Sequence, residues 1–184
     1  MQDRQIIIIA GRFRGRRLAS SFSHDLRPLL SRIRKSLFDI LGERISGKRF
    51  LDLYSGTGAV GFEALSRGAE EAHFVESSSE GAMVIRRNIE LLGVRDRAVL
   101  FPVRVEDFLK RPVQTPYDFI FLGPPYKPGI GKEILEGVMP FASSGSLVIC
   151  QHNAKQALEE KTGKLICFRK EFYGKTALSF YSSE

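Results

Sequence analysis

Two carboxylates flank a glycine-rich turn in the first half of the sequence. Asp52 and Glu76 stand on either side of a GxGxxG pattern that runs from Gly56 to Gly61, and Glu76 follows Gly56 by 20 residues. Such a turn lets a ligand approach the backbone and leaves the amides of a helix N-terminus pointing at it. A carboxylate at the position of Glu76 can bind ribose hydroxyls. The spacing therefore predicts a site for a nucleoside-containing cofactor.

Asp52 discriminates between two classes of cofactor. The glycine pattern alone is compatible with NAD, but a carboxylate just ahead of the glycines would repel a pyrophosphate. It suits the cationic methionine end of S-adenosylmethionine, and no part of the sequence resembles a hydride-transfer site. A purely structural interpretation would make Asp52 a helix cap and Glu76 a surface residue. S-adenosylmethionine is the cofactor that we predict.

A second motif with chemical potential is Gly123-Pro-Pro-Tyr126, which follows an apolar run over residues 119–122. The Pro-Pro step is stiff and presents carbonyls without competing amides. Tyr126 offers a flat surface on which a nucleobase can stack. As an isolated turn the motif would be unremarkable, but at the end of the fourth strand of a cofactor-binding sheet it predicts a substrate site. The predicted catalytic residues are Gly123, Pro124, Pro125 and Tyr126.

The composition is that of one soluble globular domain. The chain has 184 residues, of which 43% are hydrophobic and 27% charged, and this balance argues against disorder. The longest apolar run near the N-terminus, residues 6–10, is too short for a membrane span or a signal peptide, so we expect a cytoplasmic protein. Cys150 and Cys167 form neither a zinc motif nor a disulfide framework, and no metal is expected. We expect a monomer.

Positive charge is concentrated in the first 35 residues, where only Asp3 and Asp25 oppose a dense set of arginines within a chain of net charge +7. Such a cluster can neutralise several phosphates, which predicts a nucleic-acid partner. A solvated basic face, or an anionic membrane or protein partner, is the alternative. Phe13 lies between two arginines, where an exposed ring could stack on a base. The predicted RNA-binding residues are Arg12, Phe13, Arg14, Arg16, Arg17, Arg27, Arg32, Arg34 and Lys35.

The elements that carry this charge form an N-terminal extension over residues 1–45. Residues 5–10 and 16–19 are predicted strands, joined by a glycine-flanked turn into a hairpin. An amphipathic helix follows Pro28, with Ile33, Leu37, Ile40 and Leu41 on its apolar stripe. We expect its basic side, with Arg32, Arg34 and Lys35, to face solvent.

Residues 46–184 show the alternation of strands and helices that is typical of an α/β fold with a parallel sheet and helices on both faces. Two strand-like runs at the end predict a hairpin that leaves an antiparallel strand at one end of the sheet. The predicted strands are residues 50–53, 72–75, 99–103, 119–122, 147–150, 164–169 and 176–181, and the predicted helices are residues 60–67, 80–92, 132–141 and 154–161.

With both motifs in view, the chain resembles the RsmD family of bacterial 16S ribosomal RNA guanine-N2 methyltransferases over almost its whole length. Few other families combine the basic hairpin with these core motifs. The matching segments are residues 8–18, the Arg27-Pro28 step with Arg32, Arg34, Leu37 and Phe38, and residues 51–61, 63–69, 74–76, 124–126 and 173–181.

The resemblance implies a Rossmann-like class I methyltransferase sheet of about seven strands with a reversed last strand, and an extension that binds RNA. It implies methyl transfer to the exocyclic amine of one guanine in a ribosomal assembly intermediate. Gly56 and Gly58 would surround the methionine part of the cofactor and Glu76 the ribose, with Pro124, Pro125 and Tyr126 against the target base. The predicted cofactor-binding residues are Asp52, Tyr54, Ser55, Gly56, Gly58, Glu76, Ser77, Arg104 and Val105.

The sequence departs from the family at positions that would lie near the active site. Gly123 stands where Asp or Asn is usual, Arg104 where Asp or Asn commonly reads the adenine, and Gln151 where Glu is frequent. Ser31 and Lys35 replace acidic residues of the arginine-rich helix. Each change removes a carboxylate or an amide.

Gly123 is the departure with the largest expected effect. A guanine amine is a poor nucleophile, so acceptors must stabilise the charge that grows on nitrogen, and losing one such group costs on the order of a hundredfold in rate. We therefore expect slow methylation and a faster Gly123→Asp variant. The alternative is a non-catalytic ribosomal RNA-binding assembly factor, which fits Gly123 and Arg104 but leaves the intact Asp52 and Glu76 unexplained. Binding of S-adenosylmethionine discriminates between the two.

Overall fold

The computed structural model of the chain describes residues 5–20, 29–125 and 130–183. The predicted catalytic Tyr126 and the predicted RNA-binding Arg27 lie outside these ranges. Within them, no helix is long and apolar enough to cross a membrane. The strands are β1 (Ile6–Ile7), β2 (Arg17–Leu18), β3 (Arg49–Leu53), β4 (Glu71–Val75), β5 (Ala98–Phe101), β6 (Tyr117–Leu122), β7 (Ala142–Asn153), β8 (Lys161–Thr162), β9 (Leu165–Tyr173) and β10 (Thr176–Ser183), and the α-helices are α1 (Ser31–Leu41), α2 (Ala59–Ser66), α3 (Ser79–Leu92), α4 (Val105–Phe108) and α5 (Lys132–Val138).

The main sheet has eight strands in the order β5-β4-β3-β6-β7-β10-β9-β8. The first five strands are parallel, and the strand order reverses between β3 and β6, as the predicted Rossmann-like architecture requires. A separate hairpin pairs β1 with β2. The fold class predicted from the sequence is therefore confirmed.

The reversed strand β10 does not lie at the end of the sheet, where the sequence analysis placed it. It is inserted between β7 and β9 and is antiparallel to both. The reason is burial: seven of the eight residues of β10 are buried, whereas β9 is largely exposed. The strand without charged residues takes the inner position, whereas β9 carries Arg169, Lys170 and Glu171 and forms the edge with the two-residue β8.

The predicted helix over residues 154–161 is wrong. This segment is a turn followed by irregular chain that leads into β8. The backbone N–H groups of Lys155 and Gln156 donate to the side chain and backbone oxygens of Asn153, and the Gln156 side chain donates to the carbonyl of Ile130. Local hydrogen bonds from an Asn thus replace the helical pattern that the spacing of apolar residues suggested.

Alternation along β3, and along β6 beyond a register shift between Tyr117 and Phe119, divides the interior into two cores. Phe50, Phe119 and Phe121 belong to the core beneath α1, α2, α3 and the hairpin. Leu51 and Ile120 belong to the opposite core, which α4 and α5 cover. Because successive side chains of a strand point to opposite faces, both faces of the central strands must be apolar.

The extension is attached to α2 through the carboxylate of Glu63, which is fully buried. Its two oxygens accept hydrogen bonds from the backbone N–H groups of Ile9 and Ala10, at 2.9 and 3.1 Å. Arg67 donates to the same carboxylate at 2.8 Å, and Arg34 forms an ion pair with it at 3.6 Å. A side chain of the main fold therefore supplies acceptors that the short hairpin lacks.

The prediction that Arg34 lies on the solvent-facing side of α1 is wrong. Arg34 is only 1% exposed. Its guanidinium donates a hydrogen bond to the carbonyl of Ile7 and forms an ion pair with Glu63. Arg32 and Lys35 are exposed on the same helix, as expected. Arg34 is buried because its partners come from two other segments, and it joins α1 to the hairpin.

We predict that Glu63→Ala lowers the free energy of unfolding by about 3–5 kcal/mol, because it leaves the guanidinium of Arg34 buried without its counter-charge. Urea unfolding of purified protein measures this. Lys35→Met is the matched control on the exposed side of α1: its surface pair with Asp39 should contribute less than about 1 kcal/mol. Equal losses in the two variants would contradict the role assigned to Glu63.

Candidate active site

The carboxyl ends of β3, β4, β6 and β7 bring both sequence motifs to one edge of the sheet. The backbone N–H of Ser55, just after β3, donates to Val75 O at the end of β4, at 3.0 Å. The N–H of Gly123, just after β6, donates to Leu53 O at the end of β3, at 3.1 Å. These two hydrogen bonds join the glycine turn to the end of β4 and the end of β3 to the turn after β6. Ligands of parallel sheets bind at this position.

The glycine turn is built from left-handed backbone. Tyr54 has φ 60°, the one positive value found for a non-glycine among the described residues, and Gly58 has φ 76°. A Cβ on Gly58 would lie 2.6 Å from the Phe62 ring, so the turn has no room for a side chain there. The Ser55 hydroxyl donates to Asp52 O at 2.6 Å and fixes the start of the turn. The backbone is therefore available to a ligand at close range.

Asp52 is buried at the base of the turn, with a relative exposure of 1%. Its carboxylate accepts a hydrogen bond from the Gly61 N–H in the first turn of α2, at 2.9 Å, so it also caps this helix. Burial raises the pKa of the Asp52 carboxyl well above its ordinary value, the bond from Gly61 lowers it in part, and the charge of Glu76 raises it further. A cation bound beside Asp52 would favour its charged form.

Glu76 lies at the end of β4 with its carboxylate oriented by two backbone amides. One oxygen accepts from the Gly56 N–H at 2.7 Å and the other from the Ser78 N–H at 2.8 Å. Each oxygen keeps a second lone pair for a ligand. A Cβ on Gly81 would lie 2.7 Å from Glu76 Cγ and 2.9 Å from Gly56 O, which shows how tightly α3 packs here. Glu76 is buried, unlike a free surface residue, and the neighbouring Ser77 is exposed.

Arg104, Tyr54 and Glu106 form a polar cluster at the rim. The Tyr54 hydroxyl donates to Glu106 at 3.3 Å, and Arg104 Nε donates to the other oxygen of Glu106 at 3.2 Å. The Arg104 side chain is 72% exposed, whereas Val105, which begins α4, is buried. A hydrogen bond from its own backbone N–H lowers the pKa of Glu106, with further contributions from Arg104 and Tyr54.

The turn after β6 places Gly123 half-buried, Pro124 buried and Pro125 exposed. Gly123 adjoins Gln151 of β7, because Leu122 pairs with Cys150 in parallel register. A Cβ on Gly123 would lie 3.5 Å from Gln151 Oε1 and 2.9 Å from the Phe121 ring. Gln151 is thus the polar side chain next to the position where the sequence lacks one.

The predicted RNA-binding residues divide into an exposed group and a buried one. The exposed ring expected for Phe13 is not found: Phe13 is 6% exposed, its N–H donates to the Ser66 hydroxyl, and it anchors the turn to α2. The guanidinium groups of Arg12 and Arg16 lie 5.6 and 5.9 Å from its ring centre. The exposed members of the set are Arg12, Arg14, Arg16, Arg17, Arg32 and Lys35.

Asn88 of α3 joins the extension to the glycine turn, and the sequence analysis missed it. Its amide oxygen accepts from the Ala19 N–H at 2.7 Å, and its amide nitrogen donates to Ala19 O at 3.2 Å and Thr57 O at 3.3 Å. Asn88 is fully buried. The available signal was an Asn on the apolar stripe of a helix, between Ile85 and Leu92, because a buried amide at such a position needs partners from other segments.

Comparison with known proteins finds relatives along almost the whole chain. The family model described as Conserved hypothetical protein 95 matches residues 6–182. Ribosomal RNA small subunit methyltransferase D of Escherichia coli (strain K12) is 28% identical over 182 residues, which cover 98% of this chain and 91% of that protein.

Two solved structures are similar from end to end. The Escherichia coli protein yhhF aligns with a TM-score of 0.89 at 27% identity and covers 98% of each chain. The hypothetical protein TTHA0928 of Thermus thermophilus aligns with a TM-score of 0.83 at 30% identity, over 96% of this chain and 99% of that one. Both the extension and the sheet are therefore shared.

We predict that the ligand-free wild type becomes less stable as pH rises because of Asp52, and that the Asp52→Asn variant does not show this decrease. A carboxyl whose pKa is raised in the folded state favours folding below its unfolded pKa, near 3.9, and this contribution is lost as pH rises through the folded pKa. The variant should gain on the wild type with rising pH, by at most about 1.4 kcal/mol per pH unit. Urea unfolding from pH 4 to pH 8 measures it. Parallel profiles would contradict the raised pKa.

Proposed function

The chain belongs to the RsmD family of small-subunit ribosomal RNA methyltransferases, and on this premise we propose that it methylates the exocyclic N2 amine of a guanine in 16S ribosomal RNA with S-adenosylmethionine. The observation that carries the proposal is the meeting of two motifs at one sheet edge. A carboxylate-flanked glycine turn follows β3, and a Gly-Pro-Pro turn follows the adjacent strand β6.

The residues of the glycine turn fit S-adenosylmethionine. The buried carboxyl of Asp52 suits the positive methionine end, and the free lone pairs of Glu76 suit the ribose hydroxyls. Gly56 and Gly58 would let backbone approach the methionine part. Tyr54, Ser55, Ser77, Arg104 and Val105 would complete the site, with Arg104 contributing backbone, since its side chain points to solvent. When bound, the cofactor supplies an electrophilic methyl group on sulfonium.

The turn after β6 would hold the target base. The lone pair of a guanine amine is delocalised into the ring, so the protein must place the nitrogen in line with the methyl–sulfur bond and offer acceptors to its hydrogens. Such positioning contributes roughly 7–11 kcal/mol in favourable model systems. Gly123 and Pro124 offer backbone carbonyls, and Pro125 and Tyr126 would contact the ring. Gly123 has no side chain to add an acceptor, and we propose that this slows the reaction.

The exposed basic residues of the extension would bind ribosomal RNA through its phosphates. They occupy the hairpin, including its strand β2, and the exposed side of α1. The buried Glu63, Ser66 and Asn88 hold the hairpin against α2 and α3, so the charges have a fixed position relative to the glycine turn. Arg34 and Phe13 would act indirectly, by anchoring this surface.

A non-catalytic ribosomal RNA-binding assembly factor is the second candidate, and two observations favour it. Gly123 lacks the acidic or amide side chain that is usual in the family, and Arg104, where Asp or Asn is common, has a side chain that is 72% exposed and paired with Glu106. A non-catalytic function does not account for the carboxylate of Glu76, which backbone amides orient, or for the glycine turn, which has no room for a Cβ at Gly58.

Incubation with labelled S-adenosylmethionine and under-methylated small-subunit particles tests the proposal. We expect label in N2-methylguanine, mapped by mass spectrometry of RNA fragments. Glu76→Ala should weaken S-adenosylmethionine about tenfold to a hundredfold in calorimetry, because bonds to a charged group contribute about 1.5–3 kcal/mol. Glu70→Ala, an exposed carboxylate before β4, is the matched control. A wild type without affinity for the cofactor would refute the methyltransferase and favour the assembly factor.

We further predict that Arg12→Ala/Arg14→Ala/Arg17→Ala weakens binding to the same particles in a salt-dependent way. A plot of the logarithm of the binding constant against the logarithm of the salt concentration has a negative slope. Its magnitude should decrease by about 0.7 for each lost contact to a single-stranded phosphate. Filter binding between 50 and 300 mM salt, about the range where such slopes are measured, gives the value. Lys110→Ala/Lys132→Ala/Lys161→Ala removes three exposed charges outside the N-terminal extension and should leave the slope unchanged.

A further inference from the structure

Gln151 projects an amide beside the position where Gly123 lacks a side chain. Successive residues of β7 alternate between the two cores, with Ile149 in the core beneath the extension and Cys150 in the other. Gln151 therefore lies on the same face of the sheet as Ile149. Gly123 lies on this face too, because it alternates with Phe121, which belongs to the same core as Ile149. This is the face that carries the basic extension.

The carbonyl oxygen of the Gln151 side chain is available to a ligand. It lies 3.5 Å from the point where a Cβ on Gly123 would be, and the residue is half-buried. No hydrogen bond of this side chain is found within residues 5–20, 29–125 and 130–183. The adjacent His152 points to the other core side and is bonded to Ser179, so it does not compete. A neutral amide carbonyl can accept an N–H but cannot carry a proton away.

We propose that Gln151 is a catalytic residue whose side-chain carbonyl accepts a hydrogen bond from the target amine, in place of the side chain that Gly123 lacks. The inference rests on the proposed function and deepens it. Gln151 would provide the hydrogen-bond acceptor that position 123 provides in other family members, so an enzyme with Gly123 could retain activity.

The role of Gln151 in the step is to orient the amine and to stabilise charge. The amine nitrogen uses its lone pair to form the bond to the methyl carbon, while the methyl–sulfur bond breaks and its electron pair stays on sulfur. The nitrogen, now positive, loses one hydrogen as a proton to water. An acceptor that holds an amine hydrogen turns the lone pair towards the methyl carbon and stabilises the positive charge as it develops.

Steric contacts make positions 123 and 151 interdependent. A side chain on residue 123 would begin 3.5 Å from Gln151 Oε1 and 2.9 Å from the Phe121 ring, so it would compete with Gln151 for one place. Asn at 123 should thus help little while Gln151 is present and should rescue activity when it is absent. The gain expected for Gly123→Asp from sequence is likewise largest without Gln151.

A double-mutant cycle measures this dependence. Methyl transfer to under-methylated small-subunit particles should fall about tenfold to a hundredfold in kcat in Gln151→Ala, with the S-adenosylmethionine Kd from calorimetry unchanged. Gly123→Asn should raise kcat by about tenfold in the Gln151→Ala background and by clearly less in the wild type, so that the two changes are not additive. Gln114→Ala, an exposed glutamine before β6, is the control. A Gln151→Ala variant with wild-type kcat would overturn the inference.

A binding measurement separates this inference from the proposed function. In the protein saturated with S-adenosylhomocysteine, the side-chain amide resonance of Gln151, assigned by its loss in Gln151→Ala, should shift with guanosine monophosphate and much less with inosine monophosphate, which lacks the N2 amine. Equal responses, or none, would overturn the role of Gln151 even if the wild type methylates particles. A guanosine-specific shift without methylation of any particle would support the acceptor and refute the proposed reaction.

Discussion

Parallel pairing of β4, β3, β6 and β7 is the constraint on which the candidate site depends. It forces the carboxyl ends of four strands to one edge, so segments far apart in sequence meet without long loops. Asp52, Glu76, Gly123 and Gln151 each lie at such an end. The carboxylates of Asp52 and Glu76 are buried there because backbone amides, rather than cations, satisfy them. We therefore expect this edge of the sheet to suit a ligand that brings positive charge and hydroxyl groups.

The second determinant is the attachment of the N-terminal extension to helices α2 and α3. These helices begin next to the glycine turn and next to Glu76, and their inner surfaces hold Glu63, Ser66 and Asn88. The first turns of the same two helices therefore adjoin Asp52 and Glu76, and the hairpin is held farther along. The position of the basic surface relative to the pocket is thus set by packing within a shared core.

Local patterns in the sequence predicted the core of the sheet because burial on both faces leaves a readable signature. The apolar runs of β3, β4 and β6 and the glycine turn were located within a few residues. Arg34 and Phe13 were misplaced because an arginine between other basic residues and an aromatic between arginines look exposed locally. Their burial depends on acceptors and apolar partners supplied by residues at least 27 positions away, such as Ile7 and Glu63. The inner position of β10 likewise follows from competition between two strands for the core, which neither strand shows alone.

The small size of the β1–β2 ladder has a consequence for protein engineering. Two residue pairs cannot sustain an independent hairpin in water, and this one borrows acceptors from Glu63 and Ser66 and apolar contacts from the helices beneath it. Grafting residues 5–20 alone onto another scaffold would transfer the arginines but not their arrangement. A recipient would also need its own counterparts of Glu63, Ser66 and Asn88. The hairpin is a surface feature of one scaffold, not a portable module.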